Sequence, residues 1–179
     1  MTRWLGYFLL GATAGSLLDG IHTHSGMTLY PTPWIWMMAW WTPLVFGFAV
    51  VSIAGNHLWL DRVAPRPAPS TENVLFAVTT FVAAYFATGY LPFDNPPKIA
   101  ILAAMAVGAW LAFDRSWQGA LMAIVTAVLG PLFEVGMTHL GLFQHLHPDV
   151  WGVPLWLCGL YACASVAIGN LARRLSAEA

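Results

Sequence analysis

The sequence predicts an all-α polytopic membrane protein, a bundle of six transmembrane helices with both termini in the cytoplasm. Three observations predict it. Charged residues are 8% of the chain and hydrophobic residues 59%, whereas a soluble domain carries roughly 25% charge to cover its surface. The apolar residues gather into six runs near the length of about 20 residues that crosses a bilayer. The arginines alternate with these runs so that they all fall on one side. The length suits one domain, residues 1–179. A net charge of −1 leaves no basic face for nucleic acid.

The runs and their breaks follow in order. The first, Trp4–Ile21, begins after Arg3. Its small residues at 12–14 also fit a signal peptide, but five further apolar runs favour a membrane helix. A polar stretch, His22–Pro31, leads to the second run, Pro33–Ile53, and Asp61–Glu72 follows with three prolines and four charges. The third run is Asn73–Tyr90; the break Leu91–Pro97 holds Asp94, Asn95 and prolines; the fourth run is Pro97–Phe113. The short, charged Asp114–Trp117 precedes the fifth run, Gln118–Leu140. A histidine-rich break, Gly141–Gly152, precedes the sixth, Val153–Leu171. With a cytoplasmic N-terminus, Arg3, Arg62, Arg66, Arg115, Arg173 and Arg174 all lie inside and only Lys98 lies outside, as the positive-inside bias requires. Trp4, Trp34, Trp36, Trp59, Trp117 and Trp151 fall near predicted helix ends, where an aromatic belt belongs.

Polar groups inside a bilayer are costly, and each is a functional candidate. Asp19 in the first run and Glu134 in the fifth fall at similar depth toward the outer side. His22 shares a face with Asp19, and His139 shares one less well with Glu134. Two readings stand side by side: a buried polar pocket for the hydroxyl or ester of a lipid, or helix-to-helix glue in which each carboxyl pairs with a histidine or backbone group. Pro43, after Thr42, and Gly130–Pro131 are expected to bend the second and fifth helices and open room for a cavity. The Gly11/Gly15 pair and the stripe Ala100, Ala104, Gly108, Ala112 allow close helix approach. The stripe is expected to serve contacts within the chain slightly more than between chains. A homo-oligomer through the third and fourth helices is nonetheless expected. Cys158 and Cys163, on divergent faces of the sixth run, are read as packing residues.

His22-x-His24 and His145-x-His147, with His139 and Asp149 nearby, invite a metal reading. A zinc site needs three or four converging ligands, and HxH in a loop is a weak signal, so no metal ligand is assigned. GxSxG, Walker, HExxH and CxxC motifs are absent, and neither catalytic residue nor cofactor is predicted.

Thr28–Leu29–Tyr30–Pro31, Ala39–Trp40–Trp41–Thr42–Pro43 and Asp61–Arg62 follow one another in the first third of the chain. Phe93–Asp94–Asn95, Phe113–Asp114–Arg115–Ser116, Phe143–Gln144, Pro148–Asp149 and Gly169–Asn170 with Arg173 complete the series. This ordered set resembles the Insig (insulin-induced gene) family over nearly the whole chain. The resemblance implies six helices with cytoplasmic termini and, in animal members, an oxysterol held within the bundle. There the sterol-bound form retains the escort protein Scap in the endoplasmic reticulum, and members guide sterol-regulated degradation of a reductase. Asp114 matches the aspartate the escort interaction needs, and Phe81 matches a phenylalanine lining the sterol site. Asp19 stands where the family pattern has asparagine. The long polar tails of animal members are missing, and the Phe93-to-Asp114 spacing is one residue shorter than theirs.

The combined expectation is a compact, bacterial-type homologue in the cytoplasmic membrane, non-catalytic, binding or sensing a sterol-like or diacylglycerol-like lipid. Asp19, Thr42, Phe81, Tyr85 and Glu134 are its candidate lipid contacts. Asp114 is its candidate partner contact, with a local ion pair to Arg115 or Arg62 as the plainer role. A Scap-like partner is expected only where the host has one. The competing reading is an integral membrane enzyme or metal protein using the outer histidines and Glu134.

Overall fold

The computed structural model describes residues 2–178. The first predicted run is one continuous rod in which α1 (Thr2–Leu10) and α2 (Ser16–His24) are joined by a π-helical stretch, Gly11–Gly15. A π turn inserts an extra residue and leaves a carbonyl short of its usual partner. Thr13 Oγ1 donates to Leu9 O at 2.7 Å, and Ser16 Oγ to Ala12 O at 2.8 Å. The two glycines lie against Phe46 of α3 (Thr42–Val63); a Cβ on Gly15 would come within 2.9 Å of that ring and one on Gly11 would strike its carbonyl. The glycine pair therefore serves packing within the chain.

Two features of the second run differ from expectation. Its helix starts at Thr42 instead of Pro33 and ends at Val63 instead of Ile53. Pro31 and Pro33 disfavour helix in the residues before them. The segment 33–41 instead stays irregular, with Trp36 and Met37 at φ of 50° and 64°, and exposes Trp34, Trp36, Met37 and Trp40. Pro43 consequently sits in the first turn of α3, where its missing N–H costs nothing; it does not kink a helix mid-membrane. The displaced polar residues are accommodated. His57 is fully buried, with Nε2 at 3.1 Å from Ser165 Oγ and its ring against Gly169.

The other helices lie close to where they are predicted. They are α4 (Thr71–Tyr90), α5 (Asn95–Phe113), α6 (Trp117–His139) and α7 (Leu157–Ala177). Ser70 and Ser116 cap α4 and α6 by accepting from Asn73 N at 3.1 Å and Gly119 N at 3.0 Å. Prolines 96 and 97 sit in the first turn of α5. α6 runs on through Gly130–Pro131 with Pro131 inside the helix, where the proline removes one helical hydrogen bond, and Gly130 gives room to the Tyr161 ring of α7. Among the described residues four helices, α3 to α6, are long and apolar enough to cross a membrane. α7 is the central element, packed against α3, α4, α5 and α6. It buries Leu157, Leu160 and Cys163 with Tyr85 and Leu102 at one end, and Ser165, Asn170 and Arg173 toward the other. Cys158 and Cys163 are free thiols.

The connections sort into two ends. At one end a short ladder pairs β1 (Thr28–Leu29) with β2 (Gln144–His145), Thr28 opposite His145, and Asn95 bonds His147 O at 2.8 Å. At the other end Tyr7 donates to Ala172 O at 3.2 Å, Gln118 to Ala64 O at 2.9 Å, and Arg66 and Arg173 meet Asp114. Arginines 66, 115 and 173 share that second end, and Lys98 lies at the first. The α5 stripe is not buried within the chain: Ala100, Ala104, Gly108 and Ala112 are all exposed, and a Cβ on Gly108 meets nothing. The slight preference for an intrachain role is overturned, because α5 turns Lys98, Leu102 and Ala109 inward instead.

Candidate functional site

Six parts of the chain converge toward the β-ladder end of the bundle. α2 presents Asp19 and His22 one turn apart, a spacing that puts both on one helix face. α4 contributes Phe81, Tyr85 and Thr88, α6 contributes Glu134, and α7 contributes Tyr161 with Trp156 just before its first turn. The stretch from the end of β1 to the first residue of α3 brings Tyr30 and Thr42, and β2 brings His145.

Hydrogen bonds organise the cluster. The Tyr30 hydroxyl donates to Asp19 Oδ2 at 2.8 Å. Glu134 accepts from His145 Nε2 at 2.7 Å through Oε2 and from the Tyr161 hydroxyl at 2.5 Å through Oε1. The Thr88 hydroxyl lies 3.0 Å from the carbonyls of Ala84 and Tyr85, to which it can donate, and 2.8 Å from His22 Nε2. Having one proton to give and lone pairs to accept, it pairs with His22 Nε2 in either ring tautomer. The His22 ring lies 4.7 Å from Tyr85 and 5.4 Å from Trp156, centroid to centroid. Phe81 meets the Tyr85 ring edge-on at 5.3 Å and carries the wall into the apolar core. Tyr30 packs on Phe143 and Trp41 at 5.6 and 5.5 Å.

Asp19 and Glu134 are brought into one cluster, close enough to feel each other's charge, but are not bonded to each other. Neither takes the histidine expected from its own helix: His22 goes to Thr88, and His139 is exposed. Their partners are Tyr30, His145 and Tyr161, from loop, strand and another helix. Local spacing on one helix face could not have identified them. The cluster also holds buried polar atoms without a partner: Thr28 Oγ1, Thr42 Oγ1 and His145 Nδ1. Thr42 sits beside Tyr30 without reaching bonding geometry. A buried polar atom left unpaired costs about 1–3 kcal/mol. Helix glue accounts for the carboxylate bonds; it leaves these atoms unexplained.

Asp114 lies at the opposite end of the bundle. Its carboxylate is fully buried, with 0% side-chain exposure. Oδ1 accepts from Arg66 Nη1 at 2.8 Å, from Ser116 N at 3.1 Å and from the Ser116 hydroxyl. Oδ2 accepts from Arg173 Nη1 at 3.1 Å. Arg66 also holds Asp61 at 2.7 Å, and Arg173 holds Asn170 Oδ1 at 2.8 Å. The expected pair with Arg115 or Arg62 is not formed. Arg115 takes a φ of 55° and turns its guanidinium back to Leu111 O, and Arg62 is exposed. Burial pushes the Asp114 carboxyl up, but Arg173, the Ser116 hydrogen bond and Arg66 outweigh it and hold the group below the usual carboxylate range.

Among the described residues no three His, Cys, Asp or Glu side chains gather as a metal site. His24, His139 and His147 are exposed.

Comparison with known proteins extends the picture. The family model for insulin-induced protein (INSIG) matches residues 2–176. An INSIG protein homologue of Mycolicibacterium vanbaalenii is 34% identical over 175 residues, spanning 92% of this chain and 84% of its own. Insulin-induced gene 1 protein of Danio rerio is 28% identical, spanning 97% of this chain and 72% of its own. The human protein of that name is 27% identical, spanning 98% of this chain and 66% of its own. The crystal structure of the mycobacterial Insig homologue superposes with a TM-score of 0.89 at 31% identity, covering 99% of this chain and 95% of that one. A cross-linked trimer of that homologue superposes with a TM-score of 0.87.

Proposed function

The chain belongs to the insulin-induced protein (INSIG) family, and from that premise we propose that it is a non-catalytic lipid-binding protein holding one lipid inside a six-span bundle. The observation that carries the reading is the convergence of Asp19 and Glu134 with buried, unpartnered atoms of Thr42 and His145. A lipid hydroxyl or ester can donate or accept where these atoms have nothing, and its tails can continue along the aromatic wall of Tyr85 and Phe81. In this reading Asp19, Thr42 and Glu134 contact the polar end, and Phe81 and Tyr85 contact the apolar part. A sterol-like or a diacylglycerol-like molecule meets that demand. Mass spectrometry of organic extracts from the purified protein should return one such lipid per chain; an extract holding only bulk phospholipid in proportion to the membrane would refute the reading.

The assembly reading has two supports. The exposed small-residue stripe of α5 leaves a face that a second backbone can approach closely, and the mycobacterial homologue has been crystallised as a cross-linked trimer. We take the chain to be a homo-oligomer through α4 and α5. The arginine-bearing end is the cytoplasmic one by the positive-inside bias, which puts both termini in the cytoplasm of a bacterial-type membrane. Asp114 organises that end for a protein partner, a Scap-like escort only in a host that has one. Because its carboxylate is buried, it acts by holding Arg66 and Arg173 in place and not by touching the partner.

A further inference from the structure

Lys98 is the chain's only lysine and is among its most buried charged groups, with 4% of the residue exposed. Its Nζ donates to Thr88 O at 2.8 Å and reaches the Met27 sulfur at 3.8 Å. Thr88 lies in the last turn of α4, so the first bond is an ordinary capping of a helix C-terminus by a cation. An ammonium has three donors, and that role uses one well. Among the described residues Lys98 has no carboxylate bonded to it.

What Lys98 faces is a cavity of about 550 Å³ between the 91–95 turn and the loop after β2, walled by Met27, Pro92, Asp94, Asn95 and Asp149. None of the proposed lipid contacts lines it. Asp149 is already engaged, by Asn95 Nδ2 at 2.9 Å and Leu155 N at 2.8 Å. Asp94 is different. It stands at the N-terminus of α5, exposed, and makes no capping bond with its side chain. The cavity therefore carries a buried positive charge and a free negative charge at its rim. A simple anion attracted by Lys98 meets two carboxylates; a simple cation attracted by Asp94 meets the lysine. A zwitterion satisfies both. Exposed Phe93 lines the cavity and exposed Tyr90 immediately precedes its 91–95 wall; tyrosine settles at the bilayer interface, which fits a cavity at head-group depth.

We propose that this cavity holds the phosphoethanolamine head group of a membrane phospholipid, its phosphate on Lys98 and its primary ammonium on Asp94. The site is separate from the lipid contacts proposed above at Asp19, Tyr85 and Glu134 and takes a different chemical class. The test is native mass spectrometry of the full chain from mixed micelles containing equal phosphatidylethanolamine and phosphatidylglycerol. Wild type should retain phosphatidylethanolamine roughly tenfold over phosphatidylglycerol, the size of one charge-assisted hydrogen bond. Asp94→Asn should abolish the preference, and Lys98→Met should weaken retention of both lipids. Asp94 is exposed, so its variant folds even if Lys98→Met does not. Soluble glycerophosphoethanolamine should fail to displace the lipid. Equal retention of the two lipids by wild type, an unchanged preference in Asp94→Asn, or displacement by the soluble head group would overturn the proposal.

Discussion

Replacing Asp114 by alanine tests whether the buried ion network at the second end of the bundle holds α7 to the neighbouring loops. The native carboxylate accepts from two arginines and from Ser116, whose hydroxyl also caps α6. With 0% exposure of its side chain, it lies outside the range of surface pairs worth about 0–1 kcal/mol. Removing one member of a buried pair leaves uncompensated charge and costs about 3–5 kcal/mol. Here Arg66 keeps Asp61 as a second partner and Arg173 keeps Asn170, so the lower part of that range applies. Thermal unfolding in mild detergent should show a loss on the order of 10 °C for Asp114→Ala. Asp114→Asn, which keeps volume and one acceptor oxygen, should lose about half as much. The pH dependence follows from the depressed folded-state value. The contribution is complete above the ordinary carboxylate range and disappears as pH falls through the lower folded value, so wild type should lose stability below about pH 4 and the alanine variant should lose less there. An Asp114→Ala variant within about 1 kcal/mol of wild type would refute the buried-network account.

Other consequences are tested separately. Pro43→Ala should change stability by less than about 1 kcal/mol, since a first-turn proline removes no helical hydrogen bond; a large gain in detergent unfolding assays would mean a kink exists after all. Gly11→Leu should destabilise by about 1–3 kcal/mol or more through collision with the Phe46 backbone, measured the same way, whereas Gly108→Leu should leave the monomer's stability intact. Gly108→Leu with Ala104→Leu should instead shift multi-angle light scattering from oligomer to monomer; an unchanged mass would exclude the α5 stripe as the interface. Cysteines placed at Ser25 and Gly141 should react with an impermeant maleimide added outside, and cysteines at Arg66 and Ser116 should not; the reverse pattern would invert the topology.

The membrane class and the helical nature of most apolar runs were legible because each follows from composition and run length. The second helix was misplaced because Trp34, Ile35, Trp36 and Met37 extend the apolar run by composition alone, whereas Pro43 cannot lie inside a helix without losing a hydrogen bond and instead opens its first turn. Asp19 and Glu134 announced themselves as carboxylates in apolar runs. Tyr30 and Tyr161 did not, and His145 stood out only as a metal candidate, because their meeting with the carboxylates depends on the β1–β2 ladder and on the packing of α7, which no periodicity encodes. Arg66 and Arg173 were read as topology markers, since nothing in spacing links residues 66, 114 and 173. The exposure of the α5 stripe was likewise a matter of which face of α5 turns inward, and Lys98 and Leu102 settle it.

The proposed function requires a lipid in the bundle beside Asp19 and Glu134. The most direct measurement is quantitative lipid mass spectrometry on wild type, Asp19→Ala and Phe81→Ala purified identically. Wild type should carry one tightly held lipid per chain. Asp19→Ala should lose roughly ten- to hundredfold in affinity, the value of a hydrogen bond to a charged group, and Phe81→Ala should retain less lipid through lost tail packing. Equal amounts of the same lipid in all three proteins would contradict the proposed function and leave the two carboxylates as packing elements bonded to Tyr30, His145 and Tyr161.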